Sequence, residues 1–449
     1  MSRTYRSAVP SAAYLSDLGR VAALTAVVKL AGGVKAAVSA RVLGLSGPLD
    51  AYLVAFSITS FVCDSLAGTL PPALVPLFVR HAESSDGKAL EACCGGTLYS
   101  AVLCLSTVAA AVLASRGVLL RVLAPGFSAQ QMDLTEKLLF ILAPMFPMMG
   151  VNAIWRSALH ARSHFAVAAM APVMTPLLAT ILLLIPHSQA GVYNLAIGST
   201  GGVLAEMMIL GVYLSHTGVS IFPRFQSSLM TGQWLKSNYA PLVLSNFLHG
   251  GVSLVDQSIA SLFAAGSISL LTLGTRLLSV VSAIGPATVS TIVLPNLSRI
   301  VARRGWASMH RTIKQWLLFG AGTGAAVSVV MMLLSFPFAH LLLHGNSFED
   351  NHVRVLSTLQ ALSFLQLPFV MTGAVLVRAI LSLELNRKLI SISILALVAN
   401  GILDLCLIRI FGINGIVVST ALVQALTTGI LWRLVRNVLI DRSLAKAAA

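Results

Sequence analysis

Apolar runs of about twenty residues, each closed by a short polar break, recur along nearly the whole chain. A helix of that length crosses the hydrocarbon core of a bilayer. Inside lipid only helices and closed barrels satisfy their own backbone, and these unbroken runs lack the alternation of barrel strands. The expected fold is an all-α polytopic membrane protein with about twelve crossings. They fall near 21–45, 50–78, 96–115, 135–158, 164–186, 190–215, 238–264, 267–296, 315–343, 355–382, 388–410 and 413–436. Breakers punctuate them, among them Ser46-Gly47-Pro48, Ala124-Pro125-Gly126 and Gly345-Asn346. The polar stretches 79–95 and 298–313 are expected to be partly helical on the membrane surface.

Charge agrees with this class and sets an orientation. Only 10% of the 449 residues are charged, against about a quarter in a soluble domain. The net charge of +15 would suit nucleic acid, but the basic residues cluster in short loops, which is the positive-inside pattern. One side of the membrane would hold Arg3, Arg6, Arg80, Arg162, Arg299, Arg303, Arg304 and Lys388; the other only Arg116, Arg121, Lys137, Arg354 and Arg409. Both termini are therefore expected in the cytoplasm. The apolar run after Arg20 contains Lys29 and lacks a small-residue cleavage site, so it reads as a first membrane helix, not a cleaved signal. The five cysteines show no metal spacing, and ten histidines pair with no nucleophile. Without a Walker loop or a catalytic constellation, the chain reads as a gradient-driven transporter and not an enzyme.

The chain also repeats at about half its length. Leu74-Val75-Pro76 is echoed by Val293-Leu294-Pro295, 219 residues on, and Arg156-Ser157-Ala158-Leu159 by Arg378-Ala379-Ile380-Leu381, 222 residues on. Six crossings per half make the two copies parallel, with a substrate site expected between them near the midplane. The expected lobes are 1–225 and 226–449.

Several charges sit where lipid should be. Lys35 lies near the centre of the first span beside Gly32-Gly33, and Arg276 lies inside the eighth. A lone cation at mid-membrane costs roughly 2.5–3.5 kcal/mol even on the lenient insertion scale, so a water-filled cavity receiving an anion is the natural reading. Lys29 and Arg41 lie six residues either side of Lys35, about 240° round the helix. They either join the anion site or snorkel to opposite rims. Arg156 and Arg378 read as helix-end anchors. Asp50 follows Gly47-Pro48 and suits a helix start; Asp64 and Glu206 are candidates for buried acids, without an evident partner. In the second half, Asn400 and Asp404 share a helix face, with Thr420 on the next span and Asp256 mid-span in the seventh. Such an oxygen-only set suits a small hard cation, or is a polar contact between helices.

ARVLGLSGPLDAYLVAF at 40–56, ALVPLF at 73–78, APGFS at 124–128 and GTRLLSVVSAIGPATVSTIVLPNLSR at 274–299 resemble the MurJ (MviN) family of lipid II flippases in the MOP superfamily. The resemblance covers essentially the whole chain. It implies that the family's first-helix arginines fall on Lys29 and Lys35, its acid before the second helix on Asp50, and its eighth-helix arginine on Arg276. Lysine keeps the charge but loses the bidentate fork. A further family arginine is lost near Val62-Cys63, and two family glutamates appear as Gly68 and Ser279. The family's sodium site maps onto Asp256, Asn400, Asp404 and Thr420, with a backbone carbonyl near Ile416. Family members commonly have fourteen helices, so the resemblance also implies a divergent member lacking the last pair. The expected function is a flippase in a bacterial inner membrane, monomeric, moving an undecaprenyl-diphosphate-linked saccharide, foremost lipid II, outward with a cation or the membrane potential as drive. An exopolysaccharide or O-antigen flippase and a MATE-like drug exporter are the alternatives.

Overall fold

The computed structural model describes residues 12–83, 87–185, 191–217, 232–302, 306–343, 350–383 and 385–448, and these form helices joined by short turns, with no strand among them. Ten helices are long and apolar enough to cross a bilayer: Gly19–Leu43, Gly47–Arg80, Cys93–Ala114, Ala129–Ala161, Phe165–Leu183, Gly191–His216, Ser308–Leu343, Asn351–Ser382, Lys388–Phe411 and Asn414–Asp441. The expected seventh and eighth spans are present as the helices Ala240–Ala260 and Ser267–Ala302. Both carry polar side chains at cavity-facing positions. The first carries Asn246, His249, Asp256 and Gln257, and the second carries Arg276; all of these line cavities inside the bundle.

Several spans are interrupted where the sequence disfavours a continuous ladder. The second breaks between Leu66 and Leu70, ahead of Pro71-Pro72, whose nitrogens carry no proton to donate. The fourth breaks at Ala143-Pro144. The tenth tightens into a 3₁₀ turn at Phe364–Gln366 just before Pro368. The breaks in the fourth and tenth spans fall in the register of the sequence repeat. The polar stretches 79–95 and 298–313 are not separate surface helices. Where described, they continue the neighbouring helices, as in Leu70–Glu83, Gly87–Ala114, Ser267–Ala302 and Trp306–Leu343.

Buried apolar side chains gather in clusters that locate the joint between the halves. In one the buried members all come from the first half, around Phe78, Phe146 and Trp155, with Trp234 and Tyr239 of the second packed against them; another comes from the second half alone, around Val293, Leu376 and Val435. A third draws on both, joining Leu49, Tyr52 and Leu138 to Ile268, Leu356 and Ile416. This shared core lies at the end of the bundle where the first helix, Ala12–Leu43, finishes. There the halves are also tied by polar bonds. Ser258 Oγ donates to the Val122 carbonyl at 2.9 Å, and Gly126 N donates to Ser261 Oγ at 3.3 Å. Gly266 adopts φ +94°, a conformation that favours glycine, and a Cβ there would collide with the Leu45 carbonyl.

Candidate functional site

Between the halves lies a cavity of about 370 Å³ whose wall includes Lys29, Lys35 and Arg276. Each cation is held differently. Lys35 Nζ donates to Tyr52 Oη at 2.9 Å, and that hydroxyl lies 2.8 Å from Ser199 Oγ. The ammonium also sits 4.1 Å from the centre of the Phe56 ring, where a cation is attracted by the π face. Arg276 reaches in from the Ser267–Ala302 helix, and its buried Nε has no hydrogen-bond partner among the described residues. Its guanidinium lies against Gly32, where a Cβ would run into Nη2. Lys29 is exposed to the cavity. The Gly32-Gly33 pair of the sequence is therefore explained less by a bend, as the first helix runs unbroken through it, than by room at Gly32 for the arginine of the other half.

Two residues expected beside this site lie elsewhere. Asp50 is buried outside the cavity wall, and its carboxylate is occupied by the start of the Ser267–Ala302 helix. It accepts from Gly266 N at 2.6 Å, Ser269 N at 2.7 Å and Ser269 Oγ at 2.5 Å. A carboxylate there satisfies orphan amides and suits the helix dipole, which is the helix-start role read from sequence, performed for a helix in the other half. Arg41 is likewise outside the cavity. Its Nε donates to the Leu342 carbonyl at 2.8 Å and Nη2 donates to Leu341 O, capping the end of the Trp306–Leu343 helix. Both side chains cross-link the halves instead of facing the cations.

The second-half acids do come together. Asn400 Nδ2 donates to Asp256 Oδ1 at 2.6 Å and to Asp404 Oδ2 at 2.8 Å. Thr420 Oγ1 lies 3.5 Å from Asp256 Oδ2 and 2.9 Å from the Ile416 carbonyl. Ser419, which the sequence did not single out, is buried and donates to Asp404 Oδ1 or, at 2.8 Å, to the Ile416 carbonyl. Its one proton serves one of these at a time. Its position beside Thr420 was the only signal for it. Asn400 Oδ1 is buried with no partner among the described residues. Two carboxylates, an amide oxygen lacking a donor, two hydroxyls and a carbonyl fit a hard cation such as sodium. No group of three or more His, Cys, Asp or Glu side chains assembles among the described residues, so softer metals find no matching set.

Two further cavities adjoin the first. One of about 350 Å³ has Asp64, Asn246 and His249 in its wall. The other, about 510 Å³, is lined by Asp256, Asn400 and Thr420 together with neutral amides and hydroxyls such as Gln366, Gln424 and Thr427. Gln257 borders all three. Arg156, read as an anchoring helix end, instead turns inward: its Nε lies 3.7 Å from Glu206 Oε1 in a largely buried pair, supplying the partner that Glu206 lacked in the sequence. Arg378 Nε is buried without a partner among the described residues.

A family model described as "Lipid II flippase MurJ" matches residues 39–446. The probable lipid II flippase MurJ of Synechocystis sp. is 24% identical over 444 residues, covering 93% of this chain and 81% of that one. The corresponding Vibrio cholerae protein is 24% identical over 426 residues, with 92% and 81% covered. Among solved structures, a lipid II flippase MurJ in an inward closed conformation superposes with a TM-score of 0.77 at 19% identity, covering 94% of this chain and 90% of that one. An inward-facing multidrug resistance MATE transporter of the MOP superfamily gives 0.77 at 16% identity, with 93% and 99% covered. These superpositions show a shared fold.

Proposed function

The chain belongs to the MurJ lipid II flippase family, and from that premise we propose that it carries lipid II, an undecaprenyl-diphosphate-linked saccharide, from the cytoplasmic to the outer leaflet of a bacterial inner membrane. The observation that carries this reading is the meeting of three cations from two halves of the chain in one cavity inside a membrane bundle. Lys35 and Arg276 would neutralise the diphosphate, with Lys29 receiving it nearer the cytoplasm. Arg276 arrives with an unpartnered donor, and Lys35 is oriented by Tyr52 and Ser199. The uncharged amides and hydroxyls of the 510 Å³ cavity suit the saccharide and its amides. The polyprenyl tail stays in lipid, so only the head has to cross.

Crossing needs the two halves to rock about the head, which means releasing the Arg41 and Asp50 ties at the closed end. That end faces outward if both termini are cytoplasmic, as the Lys/Arg asymmetry favours. An impermeant thiol reagent should then label a cysteine placed at Ser46 from outside and leave one at Ser308 untouched; the reverse pattern would invert the direction of transport. Asp256, Asn400, Asp404, Ser419, Thr420 and the Ile416 carbonyl would hold sodium. A bound cation adds positive charge between two carboxylates, and moving it inward supplies about 2.3 kcal/mol per 100 mV. It drives transport only if its affinity differs between the two arrangements of the halves.

The deciding experiment is rescue of a bacterium depleted of its own lipid II flippase. Rescue by the chain and none by inserted Lys35→Ala is the expected result; equal rescue by Lys35→Ala overturns the cavity reading. The MATE likeness lies in the fold, and the lysines and arginine of this cavity are ill suited to cationic drugs.

A further inference from the structure

Resting on the reading of a diphosphate-linked head, we infer that Asp64 and its cavity form a separate subsite for an ammonium group carried by that head. Lys29, Lys35 and Arg276 face the cavity assigned to the diphosphate. Arg156 is held by Glu206, and Asp50 is occupied by backbone amides and Ser269. Asp256 and Asp404 share the Asn400 amide.

Asp64 stands apart from these. It is exposed to a cavity of about 350 Å³ inside the bundle, where it is the one acid among the described lining residues. Only its backbone carbonyl is engaged, by Asn246 Nδ2 at 3.4 Å; its carboxylate makes no hydrogen bond or ion pair among the described residues. Lys29 and Arg156 act on it electrostatically from beyond contact distance. Once a diphosphate draws Lys29 and Glu206 retains Arg156, Asp64 is the acid left without a counterion. The remaining wall offers Asn246, Ser60 and Ser253, uncharged groups able to accept the other protons of an ammonium.

The helix that carries Asp64 also supplies a ruler. The Lys35 ammonium sits over Phe56, and Asp64 is eight residues farther along the same helix, about 12 Å at 1.5 Å per residue. The two cavities share Ser57, Ser60 and Gln257, so one ligand can occupy both. The fitting ligand carries its anion and its ammonium on the order of 12 Å apart, with uncharged hydroxyl- and amide-bearing groups between them. A diphosphate-linked saccharide bearing a peptide with a basic side chain has this form, and a neutral oligosaccharide lacks the ammonium.

The test compares two probes on the purified full chain in nanodiscs. One is an undecaprenyl-diphosphate disaccharide-pentapeptide with lysine third in the peptide; the other is identical except that the lysine amine is acetylated. The wild type should bind the free-amine probe about tenfold more tightly, equivalent to about 1.4 kcal/mol. Asp64→Asn should reduce the preference to less than about twofold, and Asp64→Glu should keep most of it. Equal binding of the two probes by the wild type overturns the subsite and leaves the diphosphate reading standing, as does an undiminished preference in Asp64→Asn. The wild-type comparison needs no variant, so it decides even if a variant misfolds. If the wild type binds neither probe, the lipid-linked reading itself falls and takes the subsite with it.

Discussion

The cationic cavity between the halves and the acidic cluster of the second half hold their out-of-character charges in opposite ways. In the cationic cavity, Lys35 is steered by a hydroxyl and two aromatic rings, and Arg276 Nε is left without an acceptor. In the acidic cluster, two carboxylates are stitched together by one amide and two hydroxyls, with the Asn400 oxygen left over among the described residues. Buried polar groups without partners are costly, so the difference indicates what each site awaits. The first leaves its donors facing a cavity of about 370 Å³ and suits a large anion that arrives and departs. The second is nearly closed on itself and suits a small ion that replaces a few hydrogen bonds.

This contrast can be broken by experiment. The largest effect should come from Lys35→Ala or Arg276→Ala. Truncating one partner of a buried charged contact costs roughly 2–5 kcal/mol, so transport of lipid II in proteoliposomes should fall at least about thirtyfold. Sodium-dependent thermal protection should survive unchanged. Loss of that protection as well would mean that the two sites are one.

The reciprocal change should be smaller in transport and larger in ion response. Sodium at 100 times its Kd adds about 2.7 kcal/mol of stability to the purified protein, and Asp404→Ala should abolish that rise. Two carboxylates in one buried site repel unless a cation or proton intervenes, so the variant should remain folded. Equal protection by sodium and potassium, undisturbed in Asp404→Ala, would reduce the cluster to a contact between helices.

Gly32→Ala should have the smallest effect and the sharpest diagnostic value. The added methyl displaces the flexible end of Arg276 without touching backbone in the other half. Transport should drop a few-fold, about 1 kcal/mol, with sodium protection intact. Wild-type transport would show that the guanidinium need not lie against the first helix.

Much of this contrast is legible in the sequence because a charge inside an apolar run is conspicuous wherever it points. Lys35, Arg276, Asp256 and Asp404 stand out for that reason, and Asn400 follows from helical spacing. What a run of residues does not encode is the partner. Arg41 and Asp50 resemble cavity residues until the structure places their acceptor and donors 300 and 216 residues away in sequence. Ser419 looks like any helical serine, since its role depends on a carboxylate from another helix. The seventh and eighth spans show the same limit. Both are legible as membrane helices, but which cavity each of their polar side chains faces is set by helices distant in sequence.

The Asp50 and Arg41 ties close one end of the bundle with helix-end amides and carbonyls, with no acid-to-base pairing between the halves among the described residues. When that end parts, water enters with the opening and takes the place of each partner, since amide, carbonyl, carboxylate and guanidinium all hydrate well. An ion pair between the halves would lose its mutual attraction on opening and add a salt-sensitive bias toward the shut form. A fastening made of end-caps has a hydrated equivalent in the open form. The shut and open forms can then lie close in free energy, so that the cargo tips the balance and the enclosure does not trap it.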